Sequence, residues 1–136
     1  MGKRTGQDDR QRPEMSRLEL AMMDVVWDLG ECSSAEVIEA FRKRRKLAPT
    51  TIRTVLAKLR KKGYLEPVPT IERGFRLKAT VSRSAVAKRS LRELLKSLFK
   101  GSPRQAIAYL LSEEELSDED MQEIRRIIKS RGTGEK

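Results

Sequence analysis

The first regular pattern in the chain is an apolar stripe at helical spacing. Its members, at i, i+4, i+7, i+8 and i+11, are Leu18, Met22, Val25, Val26 and Leu29. This spacing predicts an amphipathic helix, because side chains three and four positions apart share one helix face. Ser16 and Glu19 can form a capping box at its start, and Gly30 can supply the left-handed residue that ends it.

The same capping pattern introduces a second, shorter helix. Ser33 and Glu36 can form another capping box, with Cys32 just before it as a small apolar residue that packs rather than reacts. The apolar side of this helix is Val37, Ile38 and Phe41. The helix is expected to end in a run of basic residues at 42–46.

A third helix is predicted between Pro49, which suits the first helical position, and Gly63, which can end the helix. Its apolar face is Ile52, Val55, Leu56 and Leu59. At about 100° per residue, the opposite face and its flanks carry small, hydroxylic and basic side chains. These are Thr50, Thr51, Arg53, Thr54, Ala57, Lys58 and Lys61. This outward face has no acid that would repel phosphate and nothing bulky near its N-terminal half.

Beyond the third helix the apolar period changes from helical to alternating. Two short β-prone runs, at 64–68 and 75–78, bracket a turn that contains Arg73 and Gly74, and this arrangement predicts a β-hairpin. Prolines in the first run lack a donor for strand pairing, so that strand is expected to be short and at an edge.

From Ser82 onward the pattern is helical again, with predicted helices starting near Ser82, Ser102 and Ser117. About fifty residues in three helices are too few to bury so many Leu and Ile alone. We therefore expect a partner surface, and a second copy of the chain is the simplest partner. The candidate dimerisation residues are Leu91, Leu94, Leu95, Leu98, Ile124, Ile127 and Ile128.

Together these patterns predict a mainly α protein. A winged helix-turn-helix domain with a small β-hairpin wing is expected at 14–80, and a C-terminal helical dimerisation region at 81–130. The polar segments at 1–13 and 131–136 are expected to be a disordered basic arm and a disordered tail.

Composition excludes several classes of protein. The chain has 136 residues, no His and one Cys, so disulfide frameworks, Cys/His zinc sites and Ser-His-Asp triads cannot be built from it. No apolar run approaches the length of a membrane span and no secretory signal is visible, so we expect a cytoplasmic protein without a membrane partner. No cofactor is expected.

Charge is concentrated in one part of the chain. The net charge is +10, and residues 40–65 contain ten basic residues and no acidic one. Residues 113–136 carry eight acids against five bases, a net of −3. A localised basic patch favours a polyanion as partner, and double-stranded DNA fits a winged helix, which places the second helix of its motif in the major groove.

The predicted DNA contacts fall into two sets. The base-contacting set is Thr50, Thr51, Arg53 and Thr54, since Arg53 can donate two hydrogen bonds to a guanine edge. The phosphate-contacting set is Lys58, Lys61, Lys62, Arg73 and Arg76. An alternative for Thr50 and Thr51 is that they only satisfy backbone groups in the first turn of the helix.

Three segments, 18–27 (LELAMMDVVW), 48–56 (APTTIRTVL) and 62–65 (KGYL), resemble the BlaI/MecI/CopY group of bacterial regulators, the penicillinase repressor family. The resemblance extends from Arg17 to Ile128. It implies a homodimer whose N-terminal winged helix binds an inverted-repeat operator and whose C-terminal helices hold the dimer together. It also implies that the positions of Thr51, Arg53 and Thr54 face the operator.

The chain departs from that family at two places. Antibiotic-responsive members are inactivated by proteolysis at an Asn-Phe bond, and the matching place here reads Tyr109–Leu110. Copper-responsive members end in closely spaced cysteines, whereas this chain has only Cys32. The resemblance therefore implies DNA-binding repression without identifying the inducing signal, and a signalling protease stays open as a partner.

Two other classes of function share some of these features. A non-specific nucleic-acid binder, either RNA-binding or chromosome-organising, would carry the same basic patch. An enzyme is the weakest alternative, because the acids at 113–120 occupy a charged helix start, where they are expected to act as caps.

Overall fold

The computed structural model describes residues 12–71 and 74–133. Its elements in chain order are α1 (Arg17–Leu29), α2 (Ser34–Arg44), α3 (Pro49–Lys62), β1 (Leu65–Pro69), β2 (Phe75–Ala79), α4 (Arg83–Leu98), α5 (Pro103–Glu113) and α6 (Asp118–Thr133). The two strands pair antiparallel, with Leu65 opposite Ala79 and Pro69 opposite Phe75. The prediction of a mainly α winged helix-turn-helix fold is confirmed.

Local capping chemistry fixes where the first helices begin. At α1 the Ser16 hydroxyl accepts from the Glu19 N–H at 3.1 Å, and the Glu19 carboxylate accepts from the Ser16 N–H at 2.8 Å. Ser33 and Glu36 form the same pair of bonds at α2. Both predicted capping boxes are therefore confirmed.

The start and end of α3 are set differently. Pro49 occupies the first turn, and Ala48 provides no side-chain cap. Gly63 ends the helix with a left-handed backbone at φ 92°, which a residue without Cβ adopts without strain.

The core lies between α1, α2, α3 and the hairpin. Its members are Met22, Met23, Val25, Val26, Cys32, Val37, Phe41, Ile52, Val55, Leu56, Leu59, Tyr64, Leu65 and Leu77. Four of these are the predicted apolar face of α3, so burial fixes the rotation of that helix about its axis. The opposite face of α3 is consequently held outward.

The chain divides by its contacts into one unit that ends at Arg89 and a second that begins at Ser90. The division falls inside α4, beyond the predicted domain limit at 80, and Arg83 in the first turn of α4 pairs with Asp24 and Asp28 of α1. In the second unit, no side chain among the described residues is fully buried.

The predicted disordered arm and tail include residues that belong to the fold. Arg12 and Pro13 are ordered: the Arg12 Nε donates to the Gly63 carbonyl at 2.9 Å, and the Tyr64 hydroxyl donates to the Pro13 carbonyl at 2.7 Å. These contacts use groups of α3's C-terminus, which the polar composition of the arm does not reveal. At the other end, α6 continues to Thr133. The rest of the predicted arm and tail, 1–11 and 134–136, lies outside the described residues.

The described ranges, 12–71 and 74–133, contain neither a membrane-spanning helix nor a metal-binding cluster. No helix within them is long and apolar enough to cross a membrane. No cluster of three or more His, Cys, Asp or Glu side chains within them could hold a metal ion.

Candidate nucleic-acid interface

The outward face of α3 is fully assembled in the structure. Its exposed side chains are Thr50, Thr51, Arg53, Thr54, Ala57, Lys58 and Lys61. On the inner side Ile52 and Leu59 are 0% exposed, so the two faces are sharply separated. The predicted base-contacting residues therefore lie on one continuous surface with two of the predicted phosphate-contacting lysines.

The three threonines on this face differ in hydrogen bonding. The Thr54 hydroxyl donates to the Thr50 carbonyl, one turn back, at 3.0 Å. Within the described part of the chain, the hydroxyls of Thr50 and Thr51 form no hydrogen bond. The first-turn role considered above for Thr50 and Thr51 is thus not observed, and both hydroxyls can donate to a ligand.

Lys62, predicted as a phosphate contact, points into the fold. Its ammonium donates to Glu19 Oε1 at 2.6 Å and to the Glu14 carbonyl at 2.8 Å. Glu19 is only 4% exposed. Burial by itself raises the pKa of Glu19, but hydrogen bonds from Lys62 and Ser16 outweigh it and hold the pKa below its ordinary value. The charge of Lys62 is therefore already neutralised inside the protein.

Arg76, the predicted wing contact on β2, is also engaged. Its guanidinium donates to the Glu31 carbonyl at 3.0 Å and lies 3.3 Å from the Glu36 carboxylate. The backbone hydrogen bond from Ser33 is the main reason that the pKa of Glu36 is low, and Arg76 lowers it further. The other predicted wing contact, Arg73, lies outside the described residues.

An ion-pair cluster that the sequence analysis missed joins α1, α2 and α4. Asp28 accepts from Arg44 at 2.7 Å and from Arg83 at 2.9 Å, and Asp24 also accepts from both arginines. Arg83 additionally covers the Trp27 ring, 5.4 Å from its centroid. The hydrogen bonds from Arg83 and then Arg44 lower the pKa of Asp28. The i, i+4 spacing of the two aspartates was the available signal, but it did not indicate their partners.

Cys32 has a role beyond packing. Its backbone N–H donates to the Leu77 carbonyl at 2.9 Å, and its carbonyl accepts from the Leu77 N–H at 2.6 Å. This isolated bridge fixes β2 against the segment before α2. The thiol is 1% exposed, and burial raises its pKa, which agrees with the prediction of an unreactive side chain.

The model of one protein family, described as penicillinase repressor, matches residues 15–130. The chain belongs to the penicillinase repressor family. This family is one of DNA-binding transcriptional repressors, and the resemblance inferred from the three sequence segments is confirmed.

Individual relatives are distant but cover most of the chain. The methicillin resistance regulatory protein MecI of Mammaliicoccus sciuri is 25% identical over 120 residues, which are 88% of this chain and 97% of that protein. The penicillinase repressor of Bacillus licheniformis is 28% identical over 116 residues, 85% of this chain and 90% of that protein.

A solved structure is also similar. It is the solution structure of the Bacillus licheniformis BlaI monomeric form in complex with the blaP half-operator. It is 33% identical, covers 53% of this chain and 87% of that chain, and has a TM-score of 0.47.

All seven candidate dimerisation residues lie in the second unit, which begins at Ser90. Large exposed fractions are found at Leu91 (59%), Leu98 (70%) and Ile128 (63%). Leu94 and Ile127 are exposed, whereas Leu95 and Ile124 are half-buried. The three C-terminal helices were predicted to be too few to bury all their leucines and isoleucines. Most of these candidate side chains are indeed exposed.

Proposed function

We propose that this protein represses transcription by binding an operator sequence in double-stranded DNA through the outward face of α3. The observation that carries the proposal is that face itself. Its hydroxyls and guanidinium at Thr50, Thr51 and Arg53 are exposed, and none forms a hydrogen bond or ion pair within the described ranges. Membership of the penicillinase repressor family supports the same function.

The hydroxylic and basic side chains of this face have different chemical roles. Arg53 lies near the N-terminus of α3 and donates two hydrogen bonds to a guanine edge. Thr50 and Thr51 donate hydroxyl protons, whereas Thr54, whose proton is used within the helix, offers its methyl to thymine. Lys58 and Lys61 lie farther along the helix and contact phosphates.

We further propose that two copies bind together on an inverted repeat. A single winged helix contacts few base pairs, so selective repression needs two DNA-binding domains held at a fixed spacing. The uncovered apolar side chains of the second unit supply the surface that a second copy would cover. In this arrangement Lys62 and Arg76 stabilise the fold, while Arg73 is kept as a phosphate contact from the wing.

The proposal is tested by footprinting the promoter region beside the protein's own gene, followed by affinity measurements on the protected segment and on random duplexes. We expect a protected inverted repeat bound at least about 1,000-fold more tightly than random DNA. Equal affinity for both duplexes would instead support the non-specific nucleic-acid binder.

Substitution of Arg53 tests the reading role directly. Arg53→Ala is expected to weaken binding to the protected segment by about 1–3 kcal/mol with little effect on random DNA, because only the base contact is lost. Lys61→Ala should weaken both and reduce the salt slope by about one. Equal losses on both duplexes for Arg53→Ala would remove that residue from the base-reading role.

A further inference from the structure

A groove of about 680 Å³ lies between α2 and the start of α3. Its apolar lining is Ala35, Ile38 and Pro49, and its charged lining is Glu39, Arg42, Lys43, Lys46 and Arg53. Four cations and one carboxylate give this α2–α3 groove a net charge of +3. Three of these four cations belong to the basic run at 42–46. The DNA contacts proposed for α3 do not include them.

The structure separates the basic run into engaged and unengaged side chains. Arg44 is paired with two aspartates of α1, and the Arg45 guanidinium lies 5.8 Å from the centroid of the Phe41 ring. Arg42, Lys43 and Lys46 are exposed, and none has an ion pair or hydrogen bond within the described part of the chain. The unengaged members are therefore the ones that line the α2–α3 groove.

Arg53 lines the α2–α3 groove and also lies on the outward face of α3. The two surfaces are therefore continuous at this residue. A molecule that contacts the bases through Arg53 would pass the mouth of the groove. A DNA strand carries one phosphate charge per about 3.4 Å of helix axis, so a strand that lies there presents successive anions to neighbouring cations.

The beginning of α3 agrees with an anionic occupant. Ala48 gives no side-chain cap, so the free N–H groups of Thr50 and Thr51 have no side-chain acceptor at the helix N-terminus. The helix dipole favours negative charge at that end. The N-terminus of α3 therefore adds to the attraction of the basic side chains for an anion, but it does not by itself define a site.

We propose that the α2–α3 groove holds the sugar-phosphate backbone that flanks the bases read by α3, with Arg42, Lys43 and Lys46 as phosphate contacts. The inference rests on the proposed function of α3 and adds a second DNA-binding surface to it. The groove is expected to contribute affinity for any duplex and no sequence preference, because its ligand is the backbone.

The test compares two triple variants of the full-length chain. The groove variant is Arg42→Gln, Lys43→Gln and Lys46→Gln. The control is Arg92→Gln, Lys96→Gln and Lys100→Gln, which also removes one Arg and two Lys that are exposed and unpaired in the described ranges. Affinity is measured against salt concentration on the footprinted duplex and on a random duplex of equal length, after thermal unfolding has shown that each variant folds.

The groove variant should bind both duplexes about 10- to 100-fold more weakly at physiological salt. Its salt slope should be smaller by about two to three, at about 0.9 per lost phosphate contact. The ratio between the two duplexes should stay unchanged, and the control should show neither change. Wild-type slope and affinity in the groove variant, or equal losses in the control, would overturn the proposal. If the triple variant fails to fold, Lys43→Gln and Lys46→Gln are measured singly, each with an expected slope change of about one.

Glu39 gives a second readout of opposite sign. It is the carboxylate in the groove lining, and Glu39→Gln should strengthen binding to both duplexes because it removes repulsion from phosphate. A weakened or unchanged affinity would count against a backbone phosphate in the groove. Failure of the proposed function can be distinguished from failure of the groove proposal. If the proposed function is wrong, the wild-type protein itself shows no preference for the footprinted duplex.

Discussion

Lys61 and Lys62 are adjacent in the sequence, yet the fold uses their charges differently. Lys61 lies on the outward face of α3, exposed and without an ion pair among the described residues. Lys62 neutralises the buried carboxylate of Glu19. One position along a helix changes the direction of a side chain by about 100°, which is enough to turn a charge from the solvent toward a partly buried ion pair.

This difference predicts that the same substitution lowers stability at one position and DNA affinity at the other. Lys62→Met should lower the free energy of unfolding by about 1–3 kcal/mol, because it leaves a buried carboxylate without its ammonium partner, and should change DNA affinity little. Lys61→Met should leave stability within about 0.5 kcal/mol and weaken DNA binding. Urea unfolding and salt-dependent binding measure both quantities. Equal effects of the two variants on stability would contradict the roles assigned to them.

Glu19 also predicts a dependence of stability on pH. Its pKa in the folded protein is below the ordinary value of 4.5, so ionisation favours the folded state. The contribution is fully present above pH 4.5 and is lost as the pH falls through the lower folded value. Urea unfolding from pH 6 to pH 3 should show this loss in the wild type and a smaller one in Glu19→Gln. Identical pH profiles would exclude Glu19 as a contributor.

At the scale of elements, local sequence signals predicted most of the fold. Capping boxes, Pro49 and Gly63 are contacts or conformations within a few residues, so the sequence identifies them directly. The backbone bridge between Cys32 and Leu77 joins distant segments through groups that every residue carries, and no side-chain pattern marks it.

The same limit applied to the candidate site. The outward face of α3 followed from helical spacing, and its exposure is confirmed. The partners of Lys62 and Arg76 were not predictable, because they depend on how α1 and the segment before α2 pack around α3 and β2. Charge counts treated all ten cations at 40–65 alike, whereas tertiary contacts decide which of them are available to DNA.

The leucine stripe of α4, formed by Leu91, Leu94, Leu95 and Leu98, gives a prediction for assembly. Leu95→Glu should convert dimers to monomers or unfold the second unit, because a carboxylate buried between two copies has no partner. Lys96→Glu is the matched control, since it places the same charge on an exposed position next along the helix, away from the stripe. Analytical ultracentrifugation distinguishes the two. An intact dimer of Leu95→Glu would place the interface elsewhere, with Ile124, Ile127 and Ile128 of α6 as the next candidate.

At the scale of the whole molecule, charge and apolar surface are divided between the two units. The unit that ends at Arg89 contains the basic segment at 40–65 and a buried core. The unit that begins at Ser90 contains most of the exposed leucines and isoleucines of the described residues, and a net acidic C-terminal segment. This division suits a protein that binds DNA with one part and a second copy with the other.

If two copies bind an inverted repeat together, their joint binding depends on the spacing of the two half-sites. Binding of the full-length protein is measured on the footprinted repeat and on the same repeat with about five extra base pairs, half a helical turn, between its halves. We expect the inserted duplex to bind no more tightly than a single half-site, because the second DNA-binding domain then faces the wrong side of the duplex. Undiminished affinity for the inserted duplex would instead indicate that each copy binds DNA alone.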